Sequence, residues 1–237
     1  MSYYENPNPA PQYNFAAYAA EDARAGFIAK TYFHLAGAIL AFIALEAVIL
    51  SLPGVDGLVR TMIGGRYSWL IVLGLFMGVS WIANSWAMST TSIGTQYAGL
   101  GLYIVAEAII FTPLLFIAQN FYPEVIPTAA LATLGLFSIL TVVVFATRKD
   151  FSFLRSILIF GGIAAMGLIV VAIVCRFDLG PIFTYAMIGL ACGYILYSTS
   201  NVLHHYRIGQ HVAASLALFA AVALLFWYIL QLFMSRR

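Results

Sequence analysis

The chain has 237 residues, of which 63% are hydrophobic and 8% charged, and its formal net charge is +2. A soluble domain carries about 25% charged residues, so twenty acidic and basic side chains cannot cover a soluble protein of this length, whereas lipid tolerates the deficit. So small a net charge, without any Lys/Arg cluster, also excludes a nucleic-acid footprint.

Residues 1–30 are polar and rich in Pro, Asn and Tyr. They lack the basic stretch followed by an apolar stretch that marks a cleaved signal peptide. A disordered tail is expected there, with the first span serving as its own insertion signal. Apolar runs of about twenty residues cross a hydrocarbon core of roughly 30 Å. Such runs lie near 31–52, 68–87, 96–119, 126–146, 153–175, 182–201 and 212–233. The fold class is therefore an all-α membrane protein with seven transmembrane helices. The connections are short and hold Pro, Gly and charged residues, so neighbouring helices run antiparallel in one domain over 31–233.

The first span carries Glu46, six residues before its end and so roughly 9 Å from the interface, where snorkelling would partly relieve it. The second contains Gly74-x-x-x-Gly78, a spacing that lets helix backbones approach, and the pair Ser80 and Asn84, suited to interhelical hydrogen bonds. The third contains Pro113, expected to kink it, and Glu107, eleven residues in and near the midplane. An ionisable group at that depth costs roughly 2.5–3.5 kcal/mol even on the gentler insertion scales. Two readings of Glu107 stand. It is a carboxylate that handles a proton or cation from the bundle interior, or a neutral acid hydrogen-bonded to another helix. No intramembrane Lys or Arg offers it a deep partner.

Pro127 opens the fourth helix, where a missing N–H costs nothing. Gly161, Gly162 and Gly167 in the fifth, with Gly37 in the first and Gly189-x-x-x-Gly193 in the sixth, add small packing surfaces. The sixth span ends in GYILYSTSNVLHHY. There Ser198, Asn201 and His205, at i, i+3 and i+7, share one helical face. That stripe either lines a vestibule or marks emergence from the membrane. Histidine is the side chain suited to a pH-responsive role, but the spacing of His204, His205 and His211 matches no familiar metal site. Cys175 and Cys192 lack C-x-x-C or Cys/His spacing and read as packing residues.

Six Lys/Arg residues (Arg24, Lys30, Arg148, Lys149, Arg155, Arg207) fall on the side of the N-terminus and five (Arg60, Arg66, Arg176, Arg236, Arg237) on the other. This small excess favours a cytoplasmic N-terminus. No nucleophile–base grouping, phosphate loop or metalloprotease motif occurs, so neither an enzyme nor a cofactor is expected.

Three stretches, FIAKTYFHLAGAIL at the first span, TRKDFSFLRSIL opening the fifth and ILYSTSNVLHHY closing the sixth, together resemble the Bax inhibitor-1 family of seven-helix membrane proteins. Thr199-Ser200-Asn201 with His204 is similar to the bacterial branch, which implies a bacterial inner membrane. The resemblance implies a bundle around a central C-terminal helix and a role in pH-dependent calcium leak and suppression of cell-death signals. For some bacterial members it implies restraint of a membrane-bound ATP-dependent protease. Calcium-leak members place an aspartate where this chain has Ser198 and a second near Phe219. They also place an arginine in or just after the second span, for which no match is found here. A carboxylate pair sharing a proton titrates as a unit, which serine and phenylalanine cannot reproduce. The leading expectation is a weak calcium or proton-linked leak using Glu107, with Glu46, Ser198, Asn201 and His205 as further candidates. The rival is a modulator of a membrane protease or other complex.

Overall fold

A computed structural model of the chain describes residues 15–65, 67–89 and 92–236. A 3-10 turn at Ala16–Tyr18 leads into α1 (Glu21–Ser51), α2 (Val55–Ile63), α3 (Ser68–Ala87) and α4 (Ile93–Phe121). There follow α5 (Val125–Thr147), α6 (Leu154–Cys175), α7 (Gly180–His204) and α8 (His211–Ser235). All but α2 are long and apolar enough to cross a membrane, which gives the seven spans. Helices satisfy their backbone polar groups internally, as the bilayer core requires. Successive spans alternate in direction, so α3, α5 and α7 end on the side where α1 begins, hereafter the N-terminal side.

The ends are written locally. Glu21 and Asp22 sit in the first turn of α1, where negative charge complements the helix dipole. Pro181 opens α7 without sacrificing a helical hydrogen bond. α5 and α6 stop at Arg148 (φ 50°) and Arg176 (φ 57°), left-handed residues whose N–H groups return to the carbonyls of Val144 and Ala172. α4 runs unbroken through Pro113.

Two boundaries differ from the sequence expectation. The polar tail expected over 1–30 gives way to helix at Glu21, ten residues before the apolar run, while residues 1–14 lie outside the described residues. Hydropathy misses this extension because its charged residues remain largely exposed while Phe27 is buried. The connection after the first span contains the amphipathic α2, which buries Val59 and Met62 and leaves Leu58 and Ile63 exposed. Nine residues cannot span, but such a helix suits the membrane surface.

α8 occupies the centre, packing against α1, α3, α4, α5 and α7. Buried residues make up 72% of its most apolar stretch and 67% of that of α4, against 33% or less in every other span. The core therefore has two enclosed helices, joined by aromatic contacts. Phe111 of α4 meets Trp227 of α8 edge-on at 5.0 Å and Phe42 of α1 at 5.1 Å.

Close helix approach occurs at other glycines than the most conspicuous pair. A Cβ on Gly99 of α4 would lie 2.5 Å from the Ala83 carbonyl oxygen and 2.6 Å from the Ala87 nitrogen of α3. Gly161 and Gly193 make room for Leu190 and Leu158 between α6 and α7, whereas Gly74 and Gly78 face open space. The pair Ser80 and Asn84 does not form the expected interhelical bond. The Ser80 hydroxyl is enclosed without a hydrogen-bond partner and Asn84 is exposed.

Candidate functional site

Glu107 is the midpoint of α4, fourteen residues from both Ile93 and Phe121, so about 21 Å of helix separates it from each end. It is buried. Its side-chain hydrogen-bond partner is Tyr103, one turn earlier on the same helix. The carboxylate borders a cavity of about 1060 Å³ whose walls come from α3, α4, α6, α7 and α8. The lining is mostly apolar, but Tyr194 and Thr184 contribute hydroxyls, and Arg176, Asp178 and Gln231 contribute polar groups toward the side where α8 ends. A carboxylate halfway through the longest enclosed span, at the edge of a space large enough for water, is a group that a cation or proton can meet.

Glu46 has a different setting. It is buried among α1 contacts at 4% exposure, and neither carboxyl oxygen has a hydrogen-bond partner. The expected snorkelling does not occur, because the side chain lies on the inward face of α1 that also carries Leu35, Ala38 and Phe42. Glu46 borders neither the large cavity nor the smaller one described next.

The stripe at the end of α7 divides. Ser198 is buried, Asn201 is half-buried, and His205, one residue past the helix, is exposed. Asn201 and His205 border a cavity of about 390 Å³ with Tyr197, Arg155 and Ser152, but Ser198 does not. His205 Nε2 lies 3.1 Å from Asp150 Oδ2 in the connection between α5 and α6. The Phe151 amide donates to Ser200 Oγ at 2.9 Å, and the Ser152 amide donates to Asp150 Oδ1 at 2.8 Å. Partial burial raises the Asp150 carboxyl pKa, but hydrogen bonds from Ser152 and the neighbouring His205 outweigh this and hold it below its ordinary value. This cluster docks the α5–α6 connection onto α7 at the N-terminal side. The same end is tied from the chain start, where the Ala16 amide donates to the Tyr206 carbonyl at 2.9 Å and Arg207 lies over the Phe15 ring.

Sequence reasoning overlooked Asp150 and Ser200 as interacting groups, although both stand in the stretches that carried the family resemblance. It also overlooked Tyr103, whose i, i+4 relation to Glu107 was available. The histidines form two separate ring pairs and no single cluster, with His204 against His205 at 6.2 Å. His204 points a buried Nε2 at no partner, while His211 packs against His34 at 4.8 Å. Among the described residues no three His, Cys, Asp or Glu side chains converge to hold a metal. Phe219, at the expected place of a second acid, packs in the core against Phe42 at 6.0 Å and Tyr103 at 6.1 Å.

The family model described as "Inhibitor of apoptosis-promoting Bax1" matches residues 24–237. Bax inhibitor 1 of Schizosaccharomyces pombe is 27% identical over 222 residues, covering 91% of this chain and 79% of that protein. Protein LIFEGUARD 4 of Arabidopsis thaliana is 27% identical over 218 residues, covering 90% and 85% respectively.

Proposed function

Since the chain belongs to the Bax inhibitor-1 family, we propose that it is a weak cation leak, carrying calcium or coupled to protons, in which Glu107 is the group the permeating ion meets. The observation that carries this reading is the placement of Glu107 at mid-span on the wall of the 1060 Å³ cavity. A buried carboxylate without a cationic partner gains most from an arriving cation or proton. The two-aspartate sensor implied by the resemblance is replaced by Ser198 and Phe219, so pH control of this leak rests on other groups. The protein is read as a non-enzyme of a bacterial inner membrane with its N-terminus in the cytoplasm. Six Lys/Arg on the N-terminal side against five opposite favour that orientation.

The test is purified protein in liposomes loaded with a calcium dye, comparing wild type with Glu107→Gln. Faster calcium entry than in empty liposomes, lost in the variant, supports the reading. Wild-type vesicles no leakier than empty ones would overturn it in favour of the modulator of a membrane-bound ATP-dependent protease, which co-purification from native membranes then examines.

A further inference from the structure

The spans around α8 form an incomplete ring. α3 packs on α4, α4 on α1, α5 on α7 and α7 on α6, but α6 has its main contacts with α7 alone. The gap between α3 and α6 holds the large cavity, with Trp69, Leu73 and Phe76 on one wall and Ala165, Ile169 and Ala172 on the other. A cleft between two spans at membrane depth, with mostly apolar walls, suits an acyl chain.

Its outer end has charge. Arg176 and Asp178 border the mouth just beyond the last residue of α6. Arg176 is exposed, and it forms no ion pair among the described residues, where the one pair is His205–Asp150. A guanidinium suits a phosphate, and a carboxylate two residues away suits an ammonium. From Arg176 inward to Gly162 the α6 wall runs fourteen residues, about 21 Å, more than the roughly 15 Å of one leaflet of the hydrocarbon core, so an acyl chain anchored at Arg176 reaches the midplane within it.

We propose that a zwitterionic phospholipid occupies this cleft, with one acyl chain between α3 and α6 and its headgroup spanning Arg176 and Asp178. The chain end lies beside Glu107 and covers the carboxylate. If Glu107 is the leak site proposed above, the lipid regulates access to it; the occupancy itself does not rest on that reading.

Tryptophan fluorescence reads the occupancy directly. The chain has four Trp residues, and Trp69 and Trp227 border the cleft, stacked at 6.0 Å. Trp81 and Trp86 are exposed on α3, so Trp81→Phe and Trp86→Phe leave only the cleft pair as reporters. The full chain is reconstituted in vesicles containing phosphatidylethanolamine or phosphatidylglycerol with brominated acyl chains, which quench nearby indoles. Quenching by the zwitterionic lipid is expected to be at least twice that by the anionic one at equal mole fraction. Ala165→Phe, and separately Ile169→Phe, fill the cleft and are expected to reduce quenching by half or more. Asp178→Asn is expected to abolish the headgroup difference, and Arg176→Gln to lower quenching by both lipids. Circular dichroism confirms that each variant is folded. Quenching that survives both filled variants, or that is equal for the two headgroups, overturns the proposal. Neither result depends on whether calcium leaks.

Discussion

Glu107 and Glu46 lie on contacting helices and are both buried, yet Glu107 has Tyr103 and a cavity beside it while both oxygens of Glu46 are enclosed without a hydrogen bond. Burial alone therefore does not separate the two acids; access to a space and to a partner does. A leak needs the first arrangement, since an ion cannot reach a group sealed by packing.

Glu46 is expected to be a burden on stability. A buried polar group left unbonded costs about 1–3 kcal/mol. Glu46→Leu removes the group and retains most of the volume, so it should raise the thermal midpoint in detergent, by an amount corresponding to about 1–3 kcal/mol. It should leave calcium leak unchanged. A lowered midpoint would show that Glu46 has a stabilising partner.

Gly99 is expected to be intolerant of any side chain. The nearest atoms to an added Cβ are backbone atoms of α3, which cannot swing aside. Gly99→Ala should cost about 1–3 kcal/mol, the usual range for overpacking. Gly101, two residues on, faces open space, and Gly101→Ala there should be neutral or stabilising by up to about 1 kcal/mol through helix propensity. The difference in midpoint between the two variants is the readout.

The docked connection between α5 and α6 should respond to acid. Asp150 has a depressed pKa in the folded protein, so its contribution is complete above the ordinary value of 3.8 and is lost as pH falls through the lower folded value. Asp150→Asn should lower the midpoint at pH 7 by about 1–3 °C, in keeping with an exposed pair worth about 0.2–1 kcal/mol. The gap between wild type and variant should close as pH drops below 3.8. A gap of equal size at both pH values would contradict this.

The spans were legible because twenty-residue apolar runs and a lack of charge have one economical explanation in water and lipid. Their inward faces were not. α1, α4 and α8 differ little in composition, so the sequence could not tell that α4 shares the centre with α8. The glycine pattern misled for the same reason: Gly74 and Gly78 have the familiar spacing but face outward, whereas Gly99 has none and carries the α3–α4 contact. Glu107 was legible as a costly residue, but its cavity depends on the gap between α3 and α6, which belongs to tertiary arrangement. The partnership of Asp150 with His205 spans 55 positions and leaves no local trace.

The central claim is that the ion meets Glu107. Calcium entry into dye-loaded proteoliposomes, measured for wild type, Glu107→Gln, Glu107→Asp and Glu46→Gln, tests it most directly. Glu107→Gln is expected to slow entry by about tenfold or more, equivalent to ~1.4 kcal/mol in the barrier. Glu107→Asp should retain most of the rate and Glu46→Gln all of it. Entry through Glu107→Gln at the wild-type rate, with the protein folded and inserted, would contradict the account.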